Sequence, residues 1–273
     1  MAFHGLFVGI DRYASAGINW LACASHDARA LEAQFSDTLG GQTTLLVDAE
    51  ATRARIEAEF ARLSTCAEDD TVVIAFSGHG TEHHQLVTYD TDPNALATTC
   101  VPLDALTDWF AKIPARHLVL LLDCCFSGGA GAKVLKVDNL ARDLTSVDTR
   151  LERMSGSGRL IVTASGANEP AWESQKLGHG YFTHFLLEAM RGAHDAVEGG
   201  RLPIFRLLQH VTRRVIDAAR TLGHAQNPTL RGTLDGEVSW PVFVPGAKVK
   251  AAFPDTIRTP VTAEVMSLEG RGF

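Results

Sequence analysis

The stretch TVVIAFSGHG, from Thr71 to Gly80, joins an apolar run to a Ser-Gly-His-Gly end. An apolar run without polar alternation is typical of a strand that is buried on both faces of a parallel sheet. The stretch HLVLLLDCCFSGG, from His117 to Gly129, repeats this pattern and places an aspartate and two cysteines after its apolar run. Because ligand sites in open parallel sheets lie beyond the carboxyl ends of the strands, these two ends are the first candidates for a functional site.

Similar apolar runs alternate with helical patterns along the rest of the chain. Between the runs, apolar residues recur at helical spacing, as at Ile56, Phe60 and Leu63, and Ser25 is a candidate N-cap for the first helix. This order predicts an α/β fold with a mostly parallel central sheet and helices on both faces. The predicted strands cover residues 6–10, 43–48, 71–76, 117–123 and 159–165.

The composition of the chain excludes several classes of function. Its 273 residues carry a formal net charge of −7, which argues against a nucleic-acid-binding surface. The longest apolar runs are far too short to cross a bilayer, so no membrane partner is expected. The N-terminus lacks a basic leader, and the five cysteines contain no Cys-x-x-Cys pair. These features favour a cytoplasmic protein in a reducing compartment over a secreted, disulfide-bonded one.

Strand alternation brings four chemically active side chains to one face of the predicted sheet edge. Successive side chains of a strand point to opposite faces, so Ser77 and His79 share one face. By the same rule Asp123 and Cys125 lie on that face, and Cys124 points to the other. A thiolate is a strong nucleophile, and a neighbouring histidine can take or stabilise its proton. His79 and Cys125 are therefore candidate catalytic residues.

Glycines surround both candidates and let the backbone approach a substrate closely. The backbone N–H groups of Gly80 and Cys125 are candidate donors for an oxyanion hole. The alternatives are a structural histidine after a strand and a buried, inert thiol, and core packing is favoured for Cys124. His83 and His84 are expected to be solvated loop residues. No metal is assigned, because no pair of ligands near these histidines has the spacing of a zinc site.

The two strand ends together resemble the caspase and metacaspase superfamily of cysteine peptidases. In that family the histidine lies roughly 50 residues upstream of the cysteine. Here Cys125 follows His79 by 46 residues (125 − 79 = 46). The metacaspase pattern Asp-x-Cys-His-Ser-Gly is matched from Asp123 to Gly128, with Phe126 in place of the usual histidine. The resemblance places the nucleophile on Cys125.

Further stretches extend the resemblance from about Phe3 to Phe243. SHDARAL follows the first predicted strand, and TASGANEPAWES with GHGYFTHFLLEAMRG resembles the small-subunit portion of bacterial caspase-like proteins. The resemblance implies a caspase-like three-layer sandwich, and we expect one peptidase domain followed by a tail or linker. The expected parts are a large-subunit-like part (1–127), an exposed loop (128–158), a small-subunit-like part (159–245) and the tail (246–273).

The resemblance also implies an acidic substrate pocket. In metacaspases such a pocket selects Arg or Lys before the scissile bond, and its residues correspond to Asp27, Ser77 and Asp123. A pair of carboxylates suits a guanidinium because planar, charge-assisted pairing is strong. The alternatives are that Asp27 is an acid in the first turn of a helix and that Asp123 caps a strand end. One departure from the family is Ala24, where metacaspases often have cysteine.

Two further polar residues, Ser165 and Glu169, are candidates for the substrate groove, and loop polarity explains them equally well. Many metacaspases need calcium, which surface carboxylates hold. The acidic segments at 68–70 and 89–94 lack the spacing of a calcium loop, so calcium is not assigned. No organic cofactor is expected.

The expected function is that of a cysteine endopeptidase that cuts protein or peptide substrates after Arg or Lys. Control by a regulatory partner, a small-molecule activator or self-cleavage is expected, since a constantly active protease is harmful. The resemblance permits a role in bacterial stress, cell-death or phage-defence signalling. Two alternatives stay open: a catalytically silent caspase-fold interaction module, and a related peptidase with a different specificity.

The predicted loop at 128–158 directly follows the candidate nucleophile and is rich in small, polar and basic residues. Exposed loops of this kind are preferred sites of proteolytic nicking. A protease with basic specificity could therefore cut itself here, and the alternative is a loop whose basic residues only solvate it. The candidate residues before such a cut are Lys133, Lys136, Arg142, Arg150 and Arg153.

Overall fold

The computed structural model describes residues 1–126, 133–135 and 146–253. Its strands are β1 (Phe3–Gly9), β2 (Gln42–Val47), β3 (Thr71–Ser77), β4 (Gly80–Thr81), β5 (Gln85–Leu86), β6 (Val101–Pro102), β7 (His117–Asp123), β8 (Val134–Leu135), β9 (Arg159–Thr163), β10 (Glu173–Ser174), β11 (His179–Gly180), β12 (Arg201–Pro203), β13 (Thr229–Thr233) and β14 (Ser239–Pro241). Its helices are α1 (Ala24–Leu39), α2 (Arg53–Leu63), α3 (Leu96–Thr99), α4 (Leu103–Ala111), α5 (Val147–Met154), α6 (Tyr181–Met190), α7 (Ile204–Thr221) and α8 (Ala247–Ala252). No helix in these ranges is both long and apolar enough to cross a membrane.

The central sheet has six strands in the order β13-β9-β7-β3-β1-β2. The strands β1, β2, β3, β7 and β9 run parallel, and β13 is antiparallel to β9. All five predicted strands are present, with ends that differ by a few residues. The sequence pattern missed β13 because this edge strand, TLRGT, has a polar and partly exposed surface instead of an apolar run.

Helices cover both faces of the sheet, which confirms the predicted three-layer α/β arrangement. Alternate side chains of β3 enter different cores, with Val73 and Ala75 on one face and Val72 and Ile74 on the other. The first core is completed by α1, α6 and α7, and the second by α2, α4 and α5. Since β3 is buried on both faces, its apolar run has no polar alternation.

The helix α1 is capped by a residue that lies outside the helix. The predicted N-cap, Ser25, is wrong, because the helix begins at Ala24 and its N-cap residue, Cys23, makes no side-chain cap. Instead the Asp11 carboxylate accepts hydrogen bonds from the backbone N–H groups of Ala24 (2.7 Å) and Ser25 (3.1 Å). An anion at this position satisfies free amide groups and interacts favourably with the helix dipole. The cap fixes the start of α1 at the sheet edge, so that Asp27 lies in its first turn.

The described part of segment 128–158 is not the exposed loop that the sequence predicts. It contains β8 and the helix α5, whose N-cap Ser146 accepts a hydrogen bond from the Thr149 backbone (3.1 Å). One side of α5 is buried in the second core through Val147, Leu151 and Met154. The pattern was missed because the other residues of this short helix are polar or charged. Two of the predicted cut sites, at residues 136 and 142, lie outside the described residues.

The Asp11 cap gives a stability prediction. Replacing Asp11 with Ala should lower the free energy of unfolding by about 1–2 kcal/mol, because the first amides of α1 lose their acceptor. The measurement is urea unfolding followed by circular dichroism. A matched control is Asp217→Ala, since Asp217 is exposed on α7. Equal effects of the two substitutions would show that Asp11 is not the cap.

Candidate active site

The register of the parallel strands brings their carboxyl ends to one level. Gly9 of β1 is paired with Ser77 of β3, and Ser77 is paired with Asp123 of β7. His79 and Cys125 each lie two residues beyond these paired positions. The strand ends therefore place both candidate catalytic residues at the same edge of the sheet, next to the start of α1.

The two adjacent cysteines point to opposite sides of the sheet. Cys125 packs in the first core with α1 and α6, whereas Cys124 packs in the second core. Burial is the main cause that raises the pKa of Cys124 well above its ordinary value, and the charge of Asp123 adds to it. A thiol of this kind stays protonated. The Cys125 thiol is buried as well, and it donates a hydrogen bond to the Glu169 carbonyl oxygen (3.0 Å).

His79 is oriented by two hydrogen bonds. Its backbone N–H donates to the Tyr13 hydroxyl (3.0 Å), and its Nε2 lies 2.8 Å from the Asn19 carbonyl oxygen. A carbonyl can only accept, so Nε2 carries the proton of the neutral ring and Nδ1 has the free lone pair. Nδ1 is buried and has no hydrogen-bond partner within the described residues. Nδ1 is therefore the atom that can take a proton.

Burial lowers the pKa of His79, and this cause outweighs the nearby carbonyl groups of Asn19 and Lys133, which raise it. The imidazole is consequently neutral at neutral pH. A general base must be unprotonated, so this shift favours proton abstraction by His79.

Gly80 lets the backbone after His79 pack closely against the backbone of Cys125. A Cβ atom at this position would lie 2.4 Å from the Cys125 carbonyl oxygen, so only glycine allows the two backbones to approach this closely. The Gly80 N–H donates a hydrogen bond to the carbonyl oxygen of Lys133 (3.1 Å). A backbone donor beside Cys125 thus binds a peptide carbonyl oxygen, and Gly80 remains a candidate oxyanion donor.

The three predicted pocket residues converge on the buried ammonium group of Lys133. Its Nζ lies 2.8 Å from Asp123 Oδ1, 3.1 Å from Ser77 Oγ and 3.8 Å from Asp27 Oδ2. Nζ also donates to the Asp123 carbonyl oxygen (3.3 Å). Burial lowers the pKa of Lys133, but the charges of Asp123, Asp27 and Glu173 outweigh burial and hold it above its ordinary value. Lys133 is therefore a charged group inside a carboxylate pocket.

Three more residues complete this pocket, and the sequence pattern predicts no role for them. The Gly180 N–H donates to both Asp27 oxygens (3.3 and 3.2 Å), and Thr183 Oγ1 donates to Asp123 Oδ2 (3.0 Å). His179 Nδ1 lies 2.7 Å from Asp27 Oδ1. All three belong to the stretch GHGYFTHFLLEAMRG, where β11 leads into α6. The available signal was the cluster of polar residues before an amphipathic helix.

Position 180 is restricted to glycine by the space in the pocket. A Cβ atom there would lie 2.7 Å from Asp123 Oδ2, 3.1 Å from Lys133 Nζ and 3.2 Å from Asp27 Oδ2. Gly180 therefore forms a wall of the pocket with its backbone. A larger residue would fill the space that the cation occupies.

Ser165 and Glu169 lie beside Cys125 and not in the carboxylate pocket. The Ser165 hydroxyl donates to the Glu169 carbonyl oxygen (3.0 Å), which is the same oxygen that accepts from the Cys125 thiol. The Glu169 carboxylate accepts hydrogen bonds from the Asn227 backbone (2.6 Å) and side chain (2.5 Å). This carboxylate holds a neighbouring loop, and the backbone of Glu169 is what contacts the thiol.

The two histidines that follow the first stretch, His83 and His84, do not form a metal-site arrangement. His83 and His84 are half-buried, not solvated as predicted, and His84 Nδ1 lies 2.8 Å from Arg150 Nη1. In residues 1–126, 133–135 and 146–253, no group of three histidine, cysteine or carboxylate side chains could hold a metal ion.

Comparison with protein families agrees with this arrangement. The caspase domain model of peptidase family C14 matches residues 3–239, so the chain belongs to the caspase-domain family. This result confirms the resemblance that the two strand ends indicate. The family is one of cysteine peptidases. No curated protein sequence matches the chain.

Two solved structures show the same fold. Caspase-1 from Spodoptera frugiperda superposes with a TM-score of 0.61 at 14% identity, covering 86% of this chain and 88% of that one. A protein from Geobacter sulfurreducens gives a TM-score of 0.59 at 16% identity, covering 86% of this chain and 95% of that one. At these identities the likeness establishes the fold alone.

The opposite orientations of the two cysteines give a prediction for the nucleophile. Cys125→Ala should reduce peptide hydrolysis by about 10⁴-fold or more, because the attacking group is lost. Cys124→Ala should keep measurable activity and lose about 1 kcal/mol of stability, because only core packing changes. Both variants are assayed on fluorogenic peptides and by thermal unfolding. A folded but inactive Cys124→Ala beside an active Cys125→Ala would reverse the assignment.

Proposed function

We propose that this protein is a cysteine endopeptidase that cuts polypeptides after Lys or Arg, with Cys125 as nucleophile and His79 as base. The observation that supports this proposal is the position of Lys133. Its side chain fills the pocket of Asp27 and Asp123, while its carbonyl oxygen accepts the hydrogen bond of Gly80.

The backbone at Lys133 has the features expected of a bound substrate. A residue before the scissile bond must place its side chain in the specificity pocket and its carbonyl at the oxyanion donors. Lys133 does both, and β8, which follows it, pairs with β4 so that Val134 lies opposite Gly80. The position of the chain's own lysine thus supports the proposal that the pocket binds a basic residue of a substrate.

The proposed reaction assigns a role to His79, Cys125 and the backbone N–H groups beside them. His79 Nδ1 takes the proton of the Cys125 thiol, and the thiolate attacks the carbonyl carbon of the substrate. The backbone N–H groups of Gly80 and Cys125 stabilise the oxyanion. Collapse of this intermediate expels the amine, which takes the proton from His79 and leaves a thioester on Cys125. Water, deprotonated by His79, hydrolyses the thioester and restores the thiol.

The charge of the pocket favours basic substrates. Asp27 and Asp123 are both buried, so a cation that enters is attracted by two carboxylates in a medium of low dielectric. An acidic side chain in the same position would add a third carboxylate without a partner. We therefore propose specificity for Lys and Arg, and against Asp.

The first prediction of this proposal concerns peptide selectivity. Peptides with Arg or Lys before the scissile bond should be cut at least about 100-fold faster than the matching Asp peptide, since breaking a buried charge pair costs about 3–5 kcal/mol. Asp123→Asn should lower kcat/KM for the basic peptides by a similar factor, mainly through KM. A kinetic screen in which Asp peptides are preferred would disprove the specificity.

The pH dependence of the same assay is a second readout of the pocket. Burial raises the pKa of Asp27 well above its ordinary value, Lys133 opposes this shift, and Asp123 adds to it. Binding of a cation needs the carboxylate, so kcat/KM for Arg peptides should fall as the pH drops through this raised pKa. The fall should begin above pH ~4, the ordinary aspartate range. Asp27→Asn should lower kcat/KM and remove this part of the profile.

A further prediction is that the enzyme cuts its own Lys133–Val134 bond. Incubated wild type should yield a fragment that ends at Lys133 and another that begins at Val134, and Cys125→Ala should stay intact. Lys133→Arg should still be cut, whereas Lys133→Gln should lose this cut. Mass spectrometry identifies the fragments formed by the wild type and by each of the three variants. Arg150, which is buried and paired with Asp104 in α4, should remain uncut in the folded protein.

Other outcomes of this experiment would change the proposal. A wild type that cleaves peptides efficiently while its Lys133–Val134 bond stays intact would contradict self-processing at this site. If neither peptides nor the chain is cut, the alternative of a catalytically silent module is favoured. A thiol-reactive peptide with a terminal arginine then distinguishes a silent site, which it does not label, from an active one.

A further inference from the structure

His179 lies against the wall of the specificity pocket and has no part in the reaction described above. It follows the turn after β10, and its side chain is largely buried. Its Nδ1 is 2.7 Å from Asp27 Oδ1, which makes this the shortest contact of that carboxylate with its pocket neighbours in the described structure. Since the other Asp27 oxygen faces Ser77 and Lys133, the two oxygens have different roles.

The imidazole of His179 is held in place by a stack of rings. The His26 ring is stacked on it, with centroids 4.4 Å apart and planes 21° from parallel. His26 Nδ1 is in turn 2.6 Å from the Gly178 carbonyl oxygen. The His26 ring also packs against the Phe253 ring, with centroids 4.6 Å apart and planes at 76°. The stack therefore connects the segment after α8 to the specificity pocket.

The electrostatics keep this histidine uncharged. The pKa of His179 is lowered to about 4, and burial is the main cause. The charges of Arg191 and Lys133 also lower this pKa, whereas the charge of Asp123 raises it. Burial also lowers the pKa of His26. A neutral imidazole donates a hydrogen bond without neutralising its partner. Asp27 thus stays available for a cation in the pocket.

We propose that His179 is a positioning residue that fixes Asp27 for the recognition of arginine, and that the His26–Phe253 stack holds it in place. This inference rests on the proposed function. The distances at Lys133 explain why recognition of an arginine should depend on Asp27 more than recognition of a lysine does. The lysine Nζ reaches Asp123 at 2.8 Å but remains 3.8 Å from Asp27.

A guanidinium differs from an ammonium in shape. It is planar, carries five donors and can bind two carboxylates at once, whereas an ammonium is a compact point charge. Arginine can therefore use Asp27 as well as Asp123, and its binding depends on the orientation of the Asp27 carboxylate. Loss of the His179 hydrogen bond should weaken arginine recognition more than lysine recognition.

The test compares His179→Leu, which removes the donor and keeps a similar size, with His179→Asn, whose amide can replace Nδ1. Paired peptides differ only in Arg or Lys before the scissile bond. His179→Leu should lower kcat/KM about tenfold for the Arg peptide, mainly through KM, and about twofold for the Lys peptide. His179→Asn should restore most of the Arg-to-Lys ratio. An unchanged ratio in a folded, active His179→Leu would overturn the inference and leave the proposed function intact.

The ring stack is tested by Phe253→Ala, with Phe205→Ala as the control for an exposed aromatic on α7. Phe253→Ala should lower the Arg-to-Lys ratio in the same direction as His179→Leu but by less, and Phe205→Ala should leave it unchanged. Equal ratios in wild type and Phe253→Ala would remove the stack from the proposal.

A measurement that needs no turnover separates this inference from the proposed function. Nitrogen-15 spectra of the histidine rings in Cys125→Ala, assigned with His179→Asn, should show His179 as the neutral Nδ1–H tautomer at pH 7. A charged ring or the Nε2–H tautomer would overturn the inference whatever the activity. If wild type cuts neither peptide, the proposed function fails, and the spectrum still decides the state of His179.

Discussion

The buried ion pair between Lys133 and Asp123 is the interaction on which the site depends. Removing each ion from water costs on the order of several kcal/mol, and only close charged or hydrogen-bonding partners offset this cost. Here the ammonium meets Asp123, Ser77 and Asp27 within a pocket that Gly180 closes. Without a cation, two carboxylates would face each other in a medium of low dielectric. The pocket is therefore stable when it is filled, and it favours any cation of suitable length.

The parallel sheet explains why the pocket and the candidate dyad are neighbours. Ser77 and Asp123 are paired across β3 and β7, and they supply the pocket. Two residues further along each chain segment, His79 and Cys125 supply the proposed chemistry. Side chains two positions apart on a strand point to the same face. A strand end whose side chain lines the pocket is therefore followed, two residues later, by a side chain on the same face. One register thus sets the position of both functions.

The observed conformation is closed. The Cys125 thiol is buried and donates to the Glu169 carbonyl, and Lys133 occupies the pocket. The Lys133 carbonyl oxygen also accepts a hydrogen bond from the Gly80 N–H, so one residue contacts both the carboxylate pocket and the candidate oxyanion donor. Under the proposed function, a basic residue of a substrate would enter this pocket only after Lys133 leaves it. Access to the site and the fate of Lys133 are consequently linked.

The amino-acid sequence alone determined the five parallel strands of the sheet, the opposite orientations of Cys124 and Cys125, and the family. These features follow from local periodicity and from motifs at fixed spacing, which are properties of neighbouring residues. The prediction of an exposed loop at 128–158 was wrong for its described part, because the apolar residues of the short helix α5 alternate with polar and charged ones and give no clear helical pattern. The sequence also assigned Ser25 as the cap of α1, since a cap supplied by Asp11 from another loop leaves no local pattern.

Only the tertiary structure decided what fills the pocket and what surrounds it. Lys133 is one of several basic residues in its segment, and no local signal separates it from the others. Likewise, His179 meets Asp27 across 152 residues of sequence. Such contacts depend on how β11 and α6 pack against α1. The physical reason is that a charged group selects particular partners only when burial removes the water that would otherwise solvate it. Burial is a property of the assembled fold.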